Sequence, residues 1–448
     1  MKRLTTFALC GILIACLKTV TFAEEEKQVS KTTLSGFGYI MFGEIMNGVI
    51  GDGIPMPGTQ SSYLIDHLWT SRAEGDLFLT SRPTDWFTAK LAFVMKMKIP
   101  LQYSSMSRES YYASYESSIP VAEGIFHWTF KDHFIPISSL MIESGLFQYT
   151  FNPEVKNLGN YAYRSRAYPI FTLTKVDYPW ADLMGMRTQV GFFNDKIKLE
   201  TILNSVFNFP PWYDWSLGFN GSYTPNKIID VGVGILFDRQ FVVRHENLPP
   251  DSQEIFQGTT TEARFTFDPK PLLKPLFGDL FLFDDKSFVG FGPEDFKIYG
   301  EAAVLGQKDT IEYDYLPKPI YWLGMPLHRM PLLLGINVPT FKLLDVFSVE
   351  LEWFKSPYPN HWFGMFTSNS AKPNDVGNDW ERDNYINKDN LKWSVYLKKK
   401  IANFEIRALF ANDHSIYRSF SLESRTCYEQ TMKRPGDWHW NCELRYNF

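Results

Sequence analysis

The last eleven residues of the chain alternate strictly between apolar and polar side chains. The apolar positions are Trp438, Trp440, Cys442, Leu444, Tyr446 and Phe448, and the polar positions between them are His439, Asn441, Glu443, Arg445 and Asn447. Because successive side chains of a strand point to opposite faces, this segment separates an aromatic surface from a charged one. An aromatic face with Trp near one end favours contact with lipid over the interior of a soluble sandwich.

The same period of two recurs along the rest of the chain. It is clean at Phe347, Val349, Leu351 and Trp353, which oppose Ser348, Glu350 and Glu352. An apolar residue at every second position cannot form one stripe on a helix of period 3.6, so these segments are predicted to be strands. The pattern predicts sixteen strands, at residues 33–46, 67–80, 86–98, 121–131, 139–149, 181–194, 196–207, 213–223, 228–243, 260–267, 295–305, 327–338, 344–355, 390–399, 403–412 and 438–448.

The closing strand carries a resemblance to a known class of proteins. An amphipathic last strand that ends in Phe448, with Tyr446 two residues before it, resembles the last strand of porin-like bacterial outer-membrane β-barrels. The resemblance implies an all-β fold, a transmembrane antiparallel up-and-down β-barrel of about 16 strands, or about 14–18, in the outer membrane of a diderm bacterium. It also implies that outer-membrane lipid surrounds the barrel and that the barrel-assembly machinery recognises Phe448. A homotrimer is compatible with it.

The connections between the predicted strands alternate between long and short. Segments 81–85, 132–137, 224–227 and 340–342 are short, whereas 47–66, 99–120, 150–180, 356–389 and 413–437 are long. Long outer loops and short periplasmic turns are typical of outer-membrane barrels. Segment 268–294 is too long for a periplasmic turn, and we expect it to contain either a small helix or a further hairpin at 279–290 that would raise the count to eighteen.

The amino terminus has the pattern of a secretory signal. Lys2 and Arg3 precede an apolar run at residues 7–17, and cleavage after Ala23 gives a signal peptide at 1–23 and a single barrel domain at 24–448. The alternative is a lipoprotein signal in which Cys16 becomes the lipidated first residue. Beyond Ala23 the sequence has no apolar run long enough for a membrane-spanning helix, which again favours a barrel.

The polar faces of the predicted strands carry charges of both signs. We expect them to line a water-filled passage, since an unpaired ion in a dry interior costs several kcal/mol. The candidate lining residues are Arg72, Glu350, Glu352, Arg407, Glu443 and Arg445. A mixed lining predicts weak charge selectivity. The alternative is that these charges pair across strands and hold a filled barrel together.

The long connection at 150–180 follows the fifth predicted strand. In sixteen-stranded porins the corresponding loop folds inward and narrows the channel, and the resemblance implies the same here. The loop carries Lys156, Arg164 and Arg166, which we expect to face carboxylates of the wall as constriction residues. The alternative is an outer loop packed over the rim.

Other chemistry is weakly indicated. The eight His residues are scattered without zinc-ligand spacing, so we expect neither an enzyme nor a cofactor. Mild acidity, with a net charge of −5, argues against a nucleic-acid partner. A disulfide between Cys427 and Cys442 would suit an oxidising compartment, but Cys442 falls on the lipid face, so the pairing stays open.

The function predicted from the sequence is therefore a porin-like outer-membrane channel for passive diffusion of small polar solutes. The alternative is a surface structural or adhesive barrel that conducts little, whose long loops, especially 356–389, bind a partner or a polymer.

Overall fold

The structure is a computed structural model that describes residues 31–51, 62–98, 114–130, 136–164, 180–205, 215–241, 258–277, 290–305, 330–354, 391–413, 416–420, 426–430, 432 and 434–448. Its strands are β1 (Lys31–Gly51), β2 (Ser62–Thr84), β3 (Phe87–Lys98), β4 (Ser114–Thr129), β5 (Ile137–Tyr149), β6 (Ala181–Phe192), β7 (Ile197–Ser205), β8 (Trp215–Tyr223), β9 (Ile229–Phe241), β10 (Gly258–Phe267), β11 (Ile298–Val304), β12 (Leu332–Asn337), β13 (Val346–Trp353), β14 (Leu391–Ile401), β15 (Phe404–Asn412), β16 (Ile416–Phe420), β17 (Thr426–Gln430) and β18 (Trp438–Asn447). The helices are α1 (Tyr161–Arg164) and α2 (Lys270–Phe277).

Sixteen of these strands form a closed antiparallel barrel in which each strand pairs with its neighbours in sequence. The exception is β18, which follows β15 in the barrel because β16 and β17 form a separate two-stranded sheet within the last long connection. The predicted fold class and strand count are therefore confirmed. All sixteen predicted strands correspond to barrel strands, although β1 and β2 are longer than predicted. Segment 268–294 contains the helix α2, and the alternative hairpin at 279–290 lies almost wholly outside the described residues.

The barrel closes between its first and last strands. β18 pairs with β15 on one side and with β1 on the other, from Phe37 opposite Asn447 to Asn47 opposite Trp438. The chain end continues this pairing, because Phe448 and Gly36 exchange two backbone hydrogen bonds of 2.9 and 3.0 Å. A Cβ atom at Gly36 would lie 2.7 Å from the Phe448 ring, so only glycine leaves room for that ring.

The outward face of the barrel is apolar and the inward face is polar, as the alternation predicts. On β13, Leu351 is 44% exposed, whereas Glu350 and Glu352 are each 1% exposed. On β18, Leu444 is 52% exposed and Glu443 is buried. Because the exposed face is the apolar one, the surface suits a hydrocarbon surrounding. Among the described residues no helix is long and apolar enough to cross a membrane.

One carboxylate on the outward face is shielded. Glu44 lies opposite Trp69 on β2 and Trp440 on β18, and these two indoles contact each other edge to face at 5.8 Å. The Glu44 carboxylate accepts hydrogen bonds from Trp440 Nε1 at 3.3 Å and contacts His67 Nδ1 at 2.8 Å. Its charge is therefore paired with polar partners at the seam where the barrel closes.

The two ends of the barrel differ. The end that carries Lys31 and Phe448, here called the terminal end, also carries the short turns and the helix α2. The opposite end, here called the loop end, carries the long connections, including the one that begins after Tyr149. This matches the predicted alternation of long and short connections.

Candidate permeation pathway

Residues 150–164 enter the barrel from the loop end and pack against its inner wall; they are here called the inward loop. Their apolar side chains belong to two buried clusters. The first is formed by Phe147, Tyr149, Phe151, Ala162, Tyr163, Ala181, Leu183, Ile202 and Leu236. The second is formed by Val155, Leu158, Tyr161, Tyr299, Ala303, Leu305, Leu333 and Phe354. The described part of this loop is thus inside the barrel, which agrees with the inward fold that the resemblance implies.

The inward loop is held at its centre by Glu350 on β13. The Glu350 carboxylate accepts backbone N–H hydrogen bonds from three consecutive residues, Lys156 at 2.5 Å, Asn157 at 3.0 Å and Leu158 at 2.8 Å. It also accepts a hydrogen bond of 2.8 Å from the Tyr299 hydroxyl. Hydrogen bonds to an ionised acceptor are about twice as strong as neutral ones, so this carboxylate fixes the loop against the wall.

Three further carboxylates of the wall bind the returning half of the loop. Glu301 on β11 accepts the Tyr161 N–H at 3.0 Å, and Glu262 on β10 accepts the Ala162 N–H at 3.2 Å. Glu352 accepts the Tyr161 hydroxyl at 3.3 Å. The wall therefore presents a row of buried acceptors to the backbone donors that the loop leaves unpaired.

The chain reverses direction inside the barrel at Gly159 and Asn160, both of which have positive φ angles of 90° and 58°. Asn tolerates this conformation, and its side chain stabilises the reversal. Asn160 Oδ1 accepts the N–H groups of Phe151 and Asn152, both at 2.9 Å. A Cβ at Gly159 would lie 3.1 Å from Glu301 Oε2, so glycine also allows the close approach to the wall.

The inward loop is also linked to the terminal end of the barrel by an ionic network. Lys297, next to β11, contacts Glu154 of the loop at 3.1 Å and Glu294 at 2.9 Å, and Lys156 Nζ lies 3.9 Å from Glu294. Burial alone would raise the pKa of Glu294, but the hydrogen bond and charge of Lys297 outweigh burial and hold that pKa below its ordinary value. The contact therefore favours ionised Glu294.

Toward the loop end, Asn157 joins the inward loop to the last long connection. Its Nδ2 donates to Asp413 Oδ2 at 2.7 Å and to Ser394 Oγ at 3.1 Å. The other oxygen of Asp413 contacts His439 Nε2 of β18 at 2.9 Å. The described contacts of the inward loop thus fall on the wall from β5 to β15. The remaining sector of the wall, from β18 through β1 to β4, faces the loop across the interior.

That facing sector is built from stacked arginines and carboxylates. The Arg445 guanidinium lies 3.8 Å from the centroid of the Phe37 ring and 5.3 Å from that of Tyr39, and Arg72 lies 5.5 Å from Tyr39. The Tyr39 hydroxyl donates to Glu74 at 2.9 Å, and Arg72 Nε is 3.7 Å from Glu74. Flat rings between the guanidinium groups hold them in place through cation–π contact.

The row of paired charges continues from β2 and β18 onto β15 and β14, and this row is here called the ladder. Glu443 accepts from Arg445 at 2.8 Å and lies 3.8 Å from Arg407. Arg407 also bonds to Glu405, which Lys398 contacts at 3.2 Å. Opposite charges thus pair across the strands, as one alternative drawn from the sequence expected. Pairs of this kind also occur between Lys90 and Glu123, and between Arg187 and both Glu143 and Glu200.

The residues selected from the sequence separate into three groups. Glu350 and Glu352 bind the inward loop, and Lys156 lies in it; Arg72, Arg407, Glu443 and Arg445 belong to the ladder. The Arg164 side chain and all of Arg166 lie outside the described residues, so their role stays a prediction. The sequence analysis missed the anchoring roles of Glu301, Glu262, Asn157 and Asn160. No motif could have indicated them, because most of these bonds use backbone donors.

Other predictions can be placed only in part. Cys442 is a free thiol on the outward face, and the side chain of Cys427 lies outside the described residues, as does the predicted signal at 1–23. Within the described ranges no group of three or more His, Cys, Asp or Glu side chains could hold a metal ion.

Comparison with known proteins gave structural matches alone. No protein-family model matches the chain, and no curated protein matches it. Among solved structures, a triple mutant of Rhodopseudomonas blastica porin is 8% identical, with a TM-score of 0.41, and covers 93% of this chain and 100% of its own. A quintuple mutant of Rh. blastica porin is 9% identical, with a TM-score of 0.40 and the same coverage. At these values the assignment of the fold rests on the strand pairing of this chain.

Proposed function

We propose that this protein is a porin-like channel of a bacterial outer membrane through which small polar solutes diffuse passively. One observation carries the proposal: a closed barrel with an apolar exterior encloses a charged interior, part of which is occupied by the inward loop. Burying so many charges without water would be costly, which supports a hydrated passage between the inward loop and the facing sector of the wall from β18 to β4. The adhesive alternative rests on loops such as 356–389, which lie outside the described residues.

The remaining parts of the proposal follow from the sequence. Residues 1–23 act as a signal peptide, and the mature barrel is inserted with Phe448 as the signal for the assembly machinery. The terminal end then faces the periplasm, and the loop end faces outward. Lys156, Arg164 and Arg166 narrow the passage from the side of the inward loop. Homotrimer formation is compatible with this arrangement.

Swelling of proteoliposomes tests the channel function directly. Vesicles that contain the refolded barrel should swell in isotonic solutions of small sugars, at rates that fall from a pentose to a hexose to a disaccharide. A fixed passage discriminates by size, so this order is expected without any binding site. Vesicles with folded barrel that swell no faster than protein-free vesicles would contradict the proposal, and vesicles with heat-denatured protein provide the control.

A further inference from the structure

In several ion pairs of the inner wall, the basic side chain is more exposed than its acidic partner. On β3 and β4, the Lys90 side chain is 42% exposed and its partner Glu123 is 5% exposed. On β14 and β15, Lys398 is 31% exposed and Glu405 is 6% exposed. In both pairs the lysine side chain is the more exposed member, and the carboxylate is almost fully buried.

The same order holds for other pairs around the barrel. Lys96 is more exposed than Glu74, Arg187 is more exposed than Glu143, and Arg407 is more exposed than the carboxylates that it contacts. Lysine and arginine extend further from the wall than glutamate does, so their charged ends project past those of their partners. The order is reversed where Arg264 pairs with Asp230, where Arg445 pairs with Glu443, and where Lys297 and Lys156 pair with Glu294, because the carboxylate is the more exposed member there.

From this asymmetry we infer that the passage prefers small anionic solutes, such as inorganic phosphate or short carboxylates, over cations. The inference rests on the proposed channel function. It replaces the weak selectivity that a lining of both signs predicted, because distance to the passage, and not the number of charges alone, sets the field that a solute meets. The expected lining residues are Lys90, Lys96, Lys398 and Arg407.

The size of the preference follows from distance. A solute anion about 4 Å from an exposed ammonium is about 7 Å from the carboxylate behind it, so in water the attraction exceeds the repulsion by nearly a factor of two. The remaining difference corresponds to about a twofold enrichment of the anion over the bulk solution at each such pair. Several pairs in sequence should make the selectivity of the whole passage larger than that, although salt reduces it.

The first test is the reversal potential of the wild-type channel in a planar bilayer under a KCl gradient at low ionic strength. The sign expected is that of a channel more permeable to chloride than to potassium. A potential of zero, or of the opposite sign, from open channels would overturn the anion preference alone. Folded protein that forms no channels would instead overturn the proposed function, so the two failures are distinguishable.

The second test uses neighbouring lysines on opposite faces of β14. Lys398 points inward, whereas Lys399 points outward, where it contacts Asp345 and the Lys342 carbonyl. Lys398→Gln should lower the ratio of chloride to potassium permeability, and Lys399→Gln, which removes the same charge, should leave it unchanged. Equal shifts in both variants would show that the ratio reports net charge and not the lining, and would overturn the inference.

A third comparison checks the recessed position of the carboxylates. Lys90→Gln should lower the permeability ratio by more than Glu123→Gln raises it, because the ammonium is closer to the passage. Shifts of equal size would mean that both members of the pair are equally close to the solute, which would contradict the asymmetry. These variants stay informative if Lys398→Gln folds poorly, and the migration of unheated samples on electrophoresis identifies folded barrels in each case.

Discussion

Replacement of Glu350 by Gln should release the inward loop while the barrel stays closed. Each oxygen of the Glu350 carboxylate accepts two hydrogen bonds, one pair from Lys156 N and the Tyr299 hydroxyl, the other from Asn157 N and Leu158 N. An amide has one oxygen and one nitrogen, and the nitrogen cannot accept. If the amide nitrogen replaces Oε1, the Lys156 N–H loses its acceptor while the Tyr299 hydroxyl keeps Ser348 Oγ at 2.6 Å. If it replaces Oε2, the N–H groups of both Asn157 and Leu158 lose theirs.

The magnitude follows from the number of donors left unpaired. A buried donor without a partner costs about 1–3 kcal/mol, so one or two of them weaken the bound position of the loop by about 1–6 kcal/mol. Even the lower value shifts the equilibrium between bound and released loop by about fivefold, because every 1.4 kcal/mol is a factor of ten. None of these four hydrogen bonds belongs to the backbone hydrogen bonds that join neighbouring barrel strands, so the closure of the barrel should be unaffected.

Single-channel recording of Glu350→Gln should show frequent transitions to a higher conductance level than that of the wild type. Glu352→Gln is the matched control, because its hydrogen bond from the Tyr161 hydroxyl at 3.3 Å can be kept by the amide oxygen. Folded Glu350→Gln channels whose conductance level and noise equal those of the wild type would refute the anchoring role of Glu350.

Three other predictions concern the wall and its ends. Leu351→Arg, on the outward face, should lower the free energy of unfolding in lipid by about 2–4 kcal/mol, whereas Leu409→Arg, at an inward position of β15, should cost clearly less; equal losses would show that the faces are assigned wrongly. Deletion of Phe448 should reduce the yield of barrel in the outer membrane, since the closing pair with Gly36 and the proposed assembly signal are both lost, and a normal yield would contradict this. Because the pKa of Glu294 is lowered, its link to the inward loop contributes stability above the ordinary glutamate pKa and loses it as the pH falls through the lowered value. Unfolding measured against pH should therefore show a smaller acid-induced loss in Glu294→Gln than in the wild type, and identical profiles would argue against the link.

The barrel could be predicted from the sequence because lipid and the interior impose opposite requirements on successive residues. Strands such as β13 and β18 expose a clean period of two, and each was placed with its faces correctly assigned. The ends of β1 and β2 could not be predicted, because paired strands that extend past the apolar belt need only backbone hydrogen bonds. The hairpin of β16 and β17 was missed because its strands are five residues long, too short for a period to be visible.

The candidate site was predicted less completely. An inward loop followed from the resemblance, and its wall partners Glu350 and Glu352 were selected because they face inward. The sequence analysis expected basic side chains of the loop to meet these carboxylates, but Glu350 binds backbone N–H groups, which every residue except proline carries. Such donors leave no signature in composition or spacing. The depth of each charge in the wall is likewise invisible, since it depends on which member of a pair projects further.

The conductance of the refolded barrel in a planar bilayer tests the central proposal most directly. We predict stepwise insertion of channels whose current is proportional to voltage and whose conductance rises with the salt concentration, as a hydrated passage requires. A correctly folded barrel that inserts into the bilayer and yet carries no steady current would contradict the account, because the interior would then be filled and the charged wall would serve cohesion instead of passage.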